Sequence, residues 1–270
     1  MISLRTIRTL SALSLAAMCL ANAACESEVN RSRDVHGLYA LHTAAKNEDL
    51  VLMAKLFEEG ANANVTDLGG VAPLHRAARN GQTEVARLLL ENHADVNLQT
   101  EAGWTALQLA LWKGHDPMVE LLLGFGAFPK GATPEGYNVV HLAAMSGSPY
   151  ALDLLFRDWK QSRDIAKLDP NAPDKNGKRP LEWALERGHD GAVATLLARR
   201  ADATFVDQGG NTLIHRLTGT GKLGLAALFF GAGVPLDARN NDGKTAYDLA
   251  LEKGDAVMAE WLLEALTPAP

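Results

Sequence analysis

The sequence predicts an all-α repeat solenoid, in which short helix pairs stack side by side and are joined by short β-hairpin or turn tips. Three observations carry that reading. One pattern returns with its phase marked by Tyr39, Ala72, Thr105, Asn138, Arg179, Thr212 and Thr245, at gaps of 33, 33, 33, 41, 33 and 33 residues. Gly stands two residues before all seven markers, and Asp, Thr or Asn stands five before each. Within each unit the apolar residues recur at helical spacing in two short runs. Such a period marks units that cannot bury their apolar faces alone and do so by stacking.

The unit from Asp67 to Asn97 shows what each element needs. Asp67 and Gly70 mark a tight turn, with Gly free to take positive φ. Pro73 suits a first helical residue, where its missing N–H costs nothing. Leu74, Ala77 and Ala78 share one face of that helix, and the two alanines let neighbouring helices approach closely. Gly81 ends the helix as a left-handed cap does. Val85, Leu88 and Leu89 repeat the spacing on a second helix, and Ala94-Asp95-Val96-Asn97 closes the unit.

This unit resembles an ankyrin repeat, whose pattern has Thr-Pro-Leu-His, a double Ala, a Gly, a Leu-rich second helix and Gly-Ala-Asp-x-Asn. The resemblance covers seven repeats over residues 34–266, followed by a tail at 267–270. There are departures. Only Pro73 and Pro180 keep the proline, and Glu48 stands where the other repeats have the helix-ending Gly. Leu217-Thr218 replaces the double Ala of the sixth repeat, so loose packing is expected there. The 41-residue gap holds an insertion at about residues 160–167, read either as a lengthened second helix of repeat four or as a longer loop.

Residues 1–24 read as a secretion signal: Arg5 and Arg8, an apolar run from Leu10 to Leu20 too short to span a membrane, then Ala21-Asn22-Ala23. Two readings stand for the new N-terminus. Cys25 carries a lipid, as in bacterial lipoproteins, although Asn22 replaces the preferred Leu; or cleavage after Ala23 leaves a soluble protein. Residues 25–33 are then a polar tether. The expected location is outside the cytoplasm, in a bacterial periplasm.

The formal charge is −6, and removing residues 1–24 with their two arginines makes it −8 (−6 minus 2). That lacks the basic footprint of a nucleic-acid binder. The sequence offers no catalytic centre either. His42, His75, His141 and His215 occupy the His of the motif, where the resemblance implies hydrogen bonds within and between repeats. His115 and His189 follow the helix-ending Gly, His93 takes a Gly position, and His36 falls on a turn. No His and Cys show zinc spacing. Gly219-Thr220-Gly221-Lys222 lacks the first Gly and the final Ser or Thr of a phosphate loop. Neither a metal nor a cofactor is expected, and an enzyme is the disfavoured reading.

Surface is what remains. In ankyrin arrays the tips and the exposed ends of the first helices line a concave binding face. The residue after each tip Gly reads Leu38, Val71, Trp104, Tyr137, Lys178, Asn211, Lys244, changing from apolar to polar at repeat five. The helix ends add Arg79, Asn80, Trp112 and Met145. Val71, Arg79, Asn80, Trp104, Trp112, Tyr137, Met145 and Lys178 are therefore the candidate binding residues, with the aromatics and Met145 clustered on repeats three and four. Trp183 and Trp261 are expected in the core. The expected function is binding of a partner protein by a monomer, as an inhibitor or immunity protein or an envelope scaffold. The alternative is an effector released to bind host proteins.

Overall fold

The backbone of each repeat is organised by its first helix, which the sequence both starts and stops. In the second repeat Pro73 is the first helical residue, and Gly81 ends the helix in the left-handed region at φ 75°. Glu48 does the same at φ 56°, so the first repeat makes this cap without glycine. The computed structural model describes residues 40–157 and 168–267. The expected signal, Cys25, the tether, His36, the insertion and the last three residues lie outside the described residues.

Among these residues fourteen helices come as seven pairs. The pairs are α1 (Ala40–Lys46) and α2 (Leu50–Glu58), α3 (Pro73–Asn80) and α4 (Thr83–Glu91), α5 (Ala106–Lys113) and α6 (Asp116–Gly124). They continue as α7 (Val139–Ser146) and α8 (Pro149–Arg157), α9 (Pro180–Glu186) and α10 (Asp190–Ala198). The last are α11 (Leu213–Leu217) and α12 (Leu223–Gly231), then α13 (Ala246–Glu252) and α14 (Ala256–Leu266). They fall into two units, one ending at Val139 and one beginning at Val140.

The core repeats with the sequence. Leu56, Leu89, Leu122, Leu155, Leu196, Phe229 and Leu262 hold one register position, and all are buried. The double alanines Ala44-Ala45, Ala77-Ala78 and Ala143-Ala144 are fully buried. In the sixth repeat, where Leu217 and Thr218 replace the double Ala, both side chains are buried as well. The bulkier pair is accommodated by ending α11 early: Thr218 leaves the helix for an extended conformation, and Lys253 Nζ donates to its carbonyl at 3.0 Å.

The tips are hydrogen-bonded turns rather than developed hairpins. In the second repeat Asp67 N donates to Val71 O at 3.1 Å, and Asp67 Oδ1 accepts from Gly69 N and Val71 N. The third repeat does the same with Thr100 and Trp104, the fifth with Asp174 and Lys178, and the seventh with Asn240 and Lys244. Asp, Thr and Asn recur there because each has a side-chain oxygen that can accept tip amides. Among the described residues the sole β-bridge pairs Gln99 with Thr105.

Polar ladders then join neighbouring repeats. His42, His141 and His215 each donate from Nε2 to the tip carbonyl of the next repeat, Val71, Lys178 and Lys244, at 2.9, 3.0 and 3.1 Å. His75 Nε2 donates to Leu98 O at 2.8 Å, while its Nδ1 accepts from Ala72 N. Gln108 and Glu182 take over the acceptor half of this role, receiving the amides of Thr105 and Arg179. Asn64, Asn97 and Asn171 each accept an amide from the loop that closes the next repeat, at 2.6–2.7 Å.

Candidate protein-binding face

In the second, third, fifth and seventh repeats the tip residue lies eight positions before the last or last but one residue of the first, inner helix of its pair, so the turn folds the two together. The pairs are Val71 with Arg79, Trp104 with Trp112, Lys178 with Glu186 and Lys244 with Glu252. In the third repeat the two indoles meet, with ring centroids 5.6 Å apart and planes tilted by 42°. Trp112 remains 40% exposed. Lys113, also exposed, holds its ammonium 4.4 Å from the centre of the Trp112 ring.

Beside this pair a cavity of about 180 Å³ opens between the second and third repeats. Val71, Arg76 and Arg79 line one side, Trp104 and Leu109 the other, with His75 and Thr100 completing the wall. Arg76 is held by Asp67, Nη2 to Oδ2 at 2.5 Å. Burial by itself would raise the Asp67 carboxyl, but the Gly69 and Val71 amides and the Arg76 guanidinium outweigh it and hold it below the ordinary carboxylate range. Burial pushes His75 below its ordinary value, and the Leu98 carbonyl opposes that only in part. The ring is thus a neutral fixture of the wall. Arg79 is exposed and makes no ion pair among the described residues. Asn80 is exposed beside it, and Tyr137 is half-buried on its tip.

Two expectations about side chains need correction. Met145 is not on the surface: it is 3% exposed. Arg187 Nη1 and His189 Nε2 of the fifth repeat both donate to the Met145 carbonyl at 3.1 Å, so the end of α7 is covered. Trp183 and Trp261 are half-buried rather than core. The Trp183 indole N–H donates to Asp174 Oδ2 at 3.0 Å, and Lys178 sits 3.6 Å above the ring while also pairing with Glu186. Trp261 meets Phe230 edge-on at 6.3 Å.

Val71, Arg79, Asn80, Trp104 and Trp112 therefore lie on one face of the first unit. Lys178 belongs to the second unit, where its charge is already satisfied. Lys113, a helix-end residue beside Trp112, completes the face together with Leu109 and Arg76, which reading tips and helix ends alone missed. Their signal was the register: Leu109 and Arg76 occupy the position that Trp183 holds in the fifth repeat. Among the described residues no group of three His, Cys, Asp or Glu side chains is placed to hold a metal ion.

Ankyrin repeats (three copies) match residues 10–100, 41–133 and 88–167, together more than half of the chain. The chain belongs to the ankyrin repeat family. Its fold is that of a human ankyrin repeat domain, that of ASB11, which superposes with a TM-score of 0.66 at 27% identity, over 86% of this chain and 100% of that one. This ankyrin chain is also 30% identical over 84 residues to alpha-latroinsectotoxin-Lt1a of Latrodectus tredecimguttatus. It is 33% identical over 84 residues to palmitoyltransferase AKR1 of Lachancea kluyveri. Each match covers 31% of the ankyrin chain but only 6% and 11% of those relatives. The ankyrin fold is a protein–protein interaction module and is typically non-catalytic.

Proposed function

We propose that this protein binds a partner protein through the tips and inner-helix ends of repeats two and three, and that it acts by occupation rather than catalysis. One observation carries the reading: the exposed Trp112, packed at a tilt against the Trp104 that lines a cavity, is a large apolar surface left in water. Aromatic side chains beside Arg are the usual composition of an interface centre. The apolar leader at residues 1–24 supports export, and the working role is that of an envelope inhibitor, immunity protein or scaffold.

Crosslinking in the native envelope, followed by calorimetry on the captured partner, tests this. Trp104→Ala and Trp112→Ala should each weaken binding by about 2 kcal/mol or more. Wild-type affinity in both variants would sink the reading. Export has its own check, the intact mass of the native protein, which should lack residues 1–23.

A further inference from the structure

The inner helices of the first unit carry cations and no carboxylates, in a chain that is acidic overall. Helices α1, α3 and α5 carry Lys46, Arg76, Arg79 and Lys113 and not one acidic residue. The outer helices beside them carry the acids: Glu58 on α2, Glu84 and Glu91 on α4, Asp116 and Glu120 on α6. In the second unit two inner helices are acidic instead, with Glu182 and Glu186 on α9, then Asp248 and Glu252 on α13. There the tip lysines meet them, Lys178 with Glu186 and Lys244 with Glu252 at 2.7 Å, so those charges are neutralised internally. Lys46, Arg79 and Lys113 are exposed and form no such pairs among the described residues.

Resting on the binding face proposed above, we infer that its ligand is an acidic segment of a partner protein, carrying carboxylates next to an aromatic or bulky apolar side chain. The apolar side chain enters the cavity between repeats two and three, and the carboxylates meet Arg79 and Lys113. The cavity, about 180 Å³, exceeds the ~150 Å³ of an apolar cavity known to take up benzene, so one aromatic ring is a fitting occupant. Val71, Leu109 and the Trp104 ring supply its apolar lining. A guanidinium at the rim offers paired donors that match a carboxylate in a way an ammonium does not. Repulsion explains the exclusiveness: in a chain of net charge −6, an acidic segment is disfavoured over most of the surface and accepted where the cations stand unpaired.

A phage-displayed random peptide library, selected on the purified full chain, tests this without knowing the partner. Wild type should enrich peptides with Asp or Glu flanking Trp, Phe or Leu, and added salt should weaken them. Arg79→Glu combined with Lys113→Glu should lower their affinity about tenfold or more, and selection on that variant should turn to Lys- or Arg-rich peptides. Trp104→Ala should lower the affinity of the acidic peptides similarly. Enriched peptides that lose affinity in Trp104→Ala but carry no excess negative charge, and ignore the double charge reversal, overturn the acidic ligand while leaving the binding face standing. Peptides indifferent to both changes overturn the two together. Failure to enrich any acidic sequence over the input library also overturns the inference. Far-ultraviolet circular dichroism on each variant separates loss of binding from loss of fold.

Discussion

Repeats three and five are built on one plan and use it in opposite ways. In the third, the tip and helix-end residues are two tryptophans, and Leu109 beneath them leaves a cavity against the second repeat. In the fifth, the tip and helix-end residues are Lys178 and Glu186, and the place of Leu109 is taken by Trp183. That indole donates to Asp174 and carries the Lys178 ammonium on its face. The fifth repeat satisfies its own charges and rings; the third leaves a ring and a neighbouring guanidinium to water. The same backbone therefore makes a closed tip or a receptive one, according to residues that contribute little to stacking.

If the backbone plan is common to both units, equivalent core deletions should be equally damaging. Leu89 and Leu196 hold one register position and are both fully buried. Leu89→Ala and Leu196→Ala should each cost about 2–5 kcal/mol. Urea titration checks this, and a surface-sized effect at either site would show the units to be packed differently.

Exchanging the feature that separates the two repeats is the sharper test. Leu109→Trp should fill the cavity, since the fifth repeat shows that the position accepts an indole. Partner binding should fall about tenfold, roughly 1.4 kcal/mol, with thermal stability kept. Lys244→Ala, at a tip already paired with Glu252, should leave binding almost unchanged. Calorimetry with the captured partner reads both, and the reverse order would move the interface to the second unit.

The buried histidines should behave alike in the two units. His75 and His141 are both pushed below the ordinary value of 6.5 by burial, against the pull of a carbonyl acceptor. Their folded values lie below the unfolded one, so the stability they contribute is complete above about pH 6.5 and is lost as the pH falls through the folded values. A second loss comes at lower pH: burial alone would raise Asp67, Asp174 and Asp207, but the tip amides they accept hold them below the ordinary carboxylate value of 3.8. Urea midpoints measured from pH 8 to pH 4 should decline through the histidine range, and His75→Gln should flatten part of that slope.

The smallest effect separates two lysines. Lys178→Ala loses both the Glu186 pair and the contact with the Trp183 ring, whereas Lys244→Ala loses only the Glu252 pair. Exposed pairs contribute about 0–1 kcal/mol, and a cation on an exposed ring about 0.5–1 kcal/mol. Lys178→Ala should therefore be the more destabilising, by roughly 0.5 kcal/mol in thermal melts.

The phase of the repeat was legible in residues alone because it is written in local chemistry. Glycine is needed where φ is positive, as at Gly81 and Gly147, where an added methyl would also meet the rings of His115 and His189 within 2.8 and 2.4 Å. Oxygen-bearing side chains are needed to cap each tip, and small residues are needed between inner helices. Those demands recur every 33 residues and determined the helix pairs, the tips and the histidine ladder. Exposure at the tips was not written locally. Arg79, Trp112 and Met145 share one register position, and His115 and His189 donate alike to the Arg79 and Met145 carbonyls, yet only Met145 is buried; Arg187 of the next repeat adds a second donor over the end of its helix. Trp183 is held at the surface by its own repeat: Asp174 and Lys178 give the indole a hydrogen-bond acceptor and a cation. Burial at a repeat's edge depends on what the adjacent repeat lays across it, and only the tertiary structure decided that.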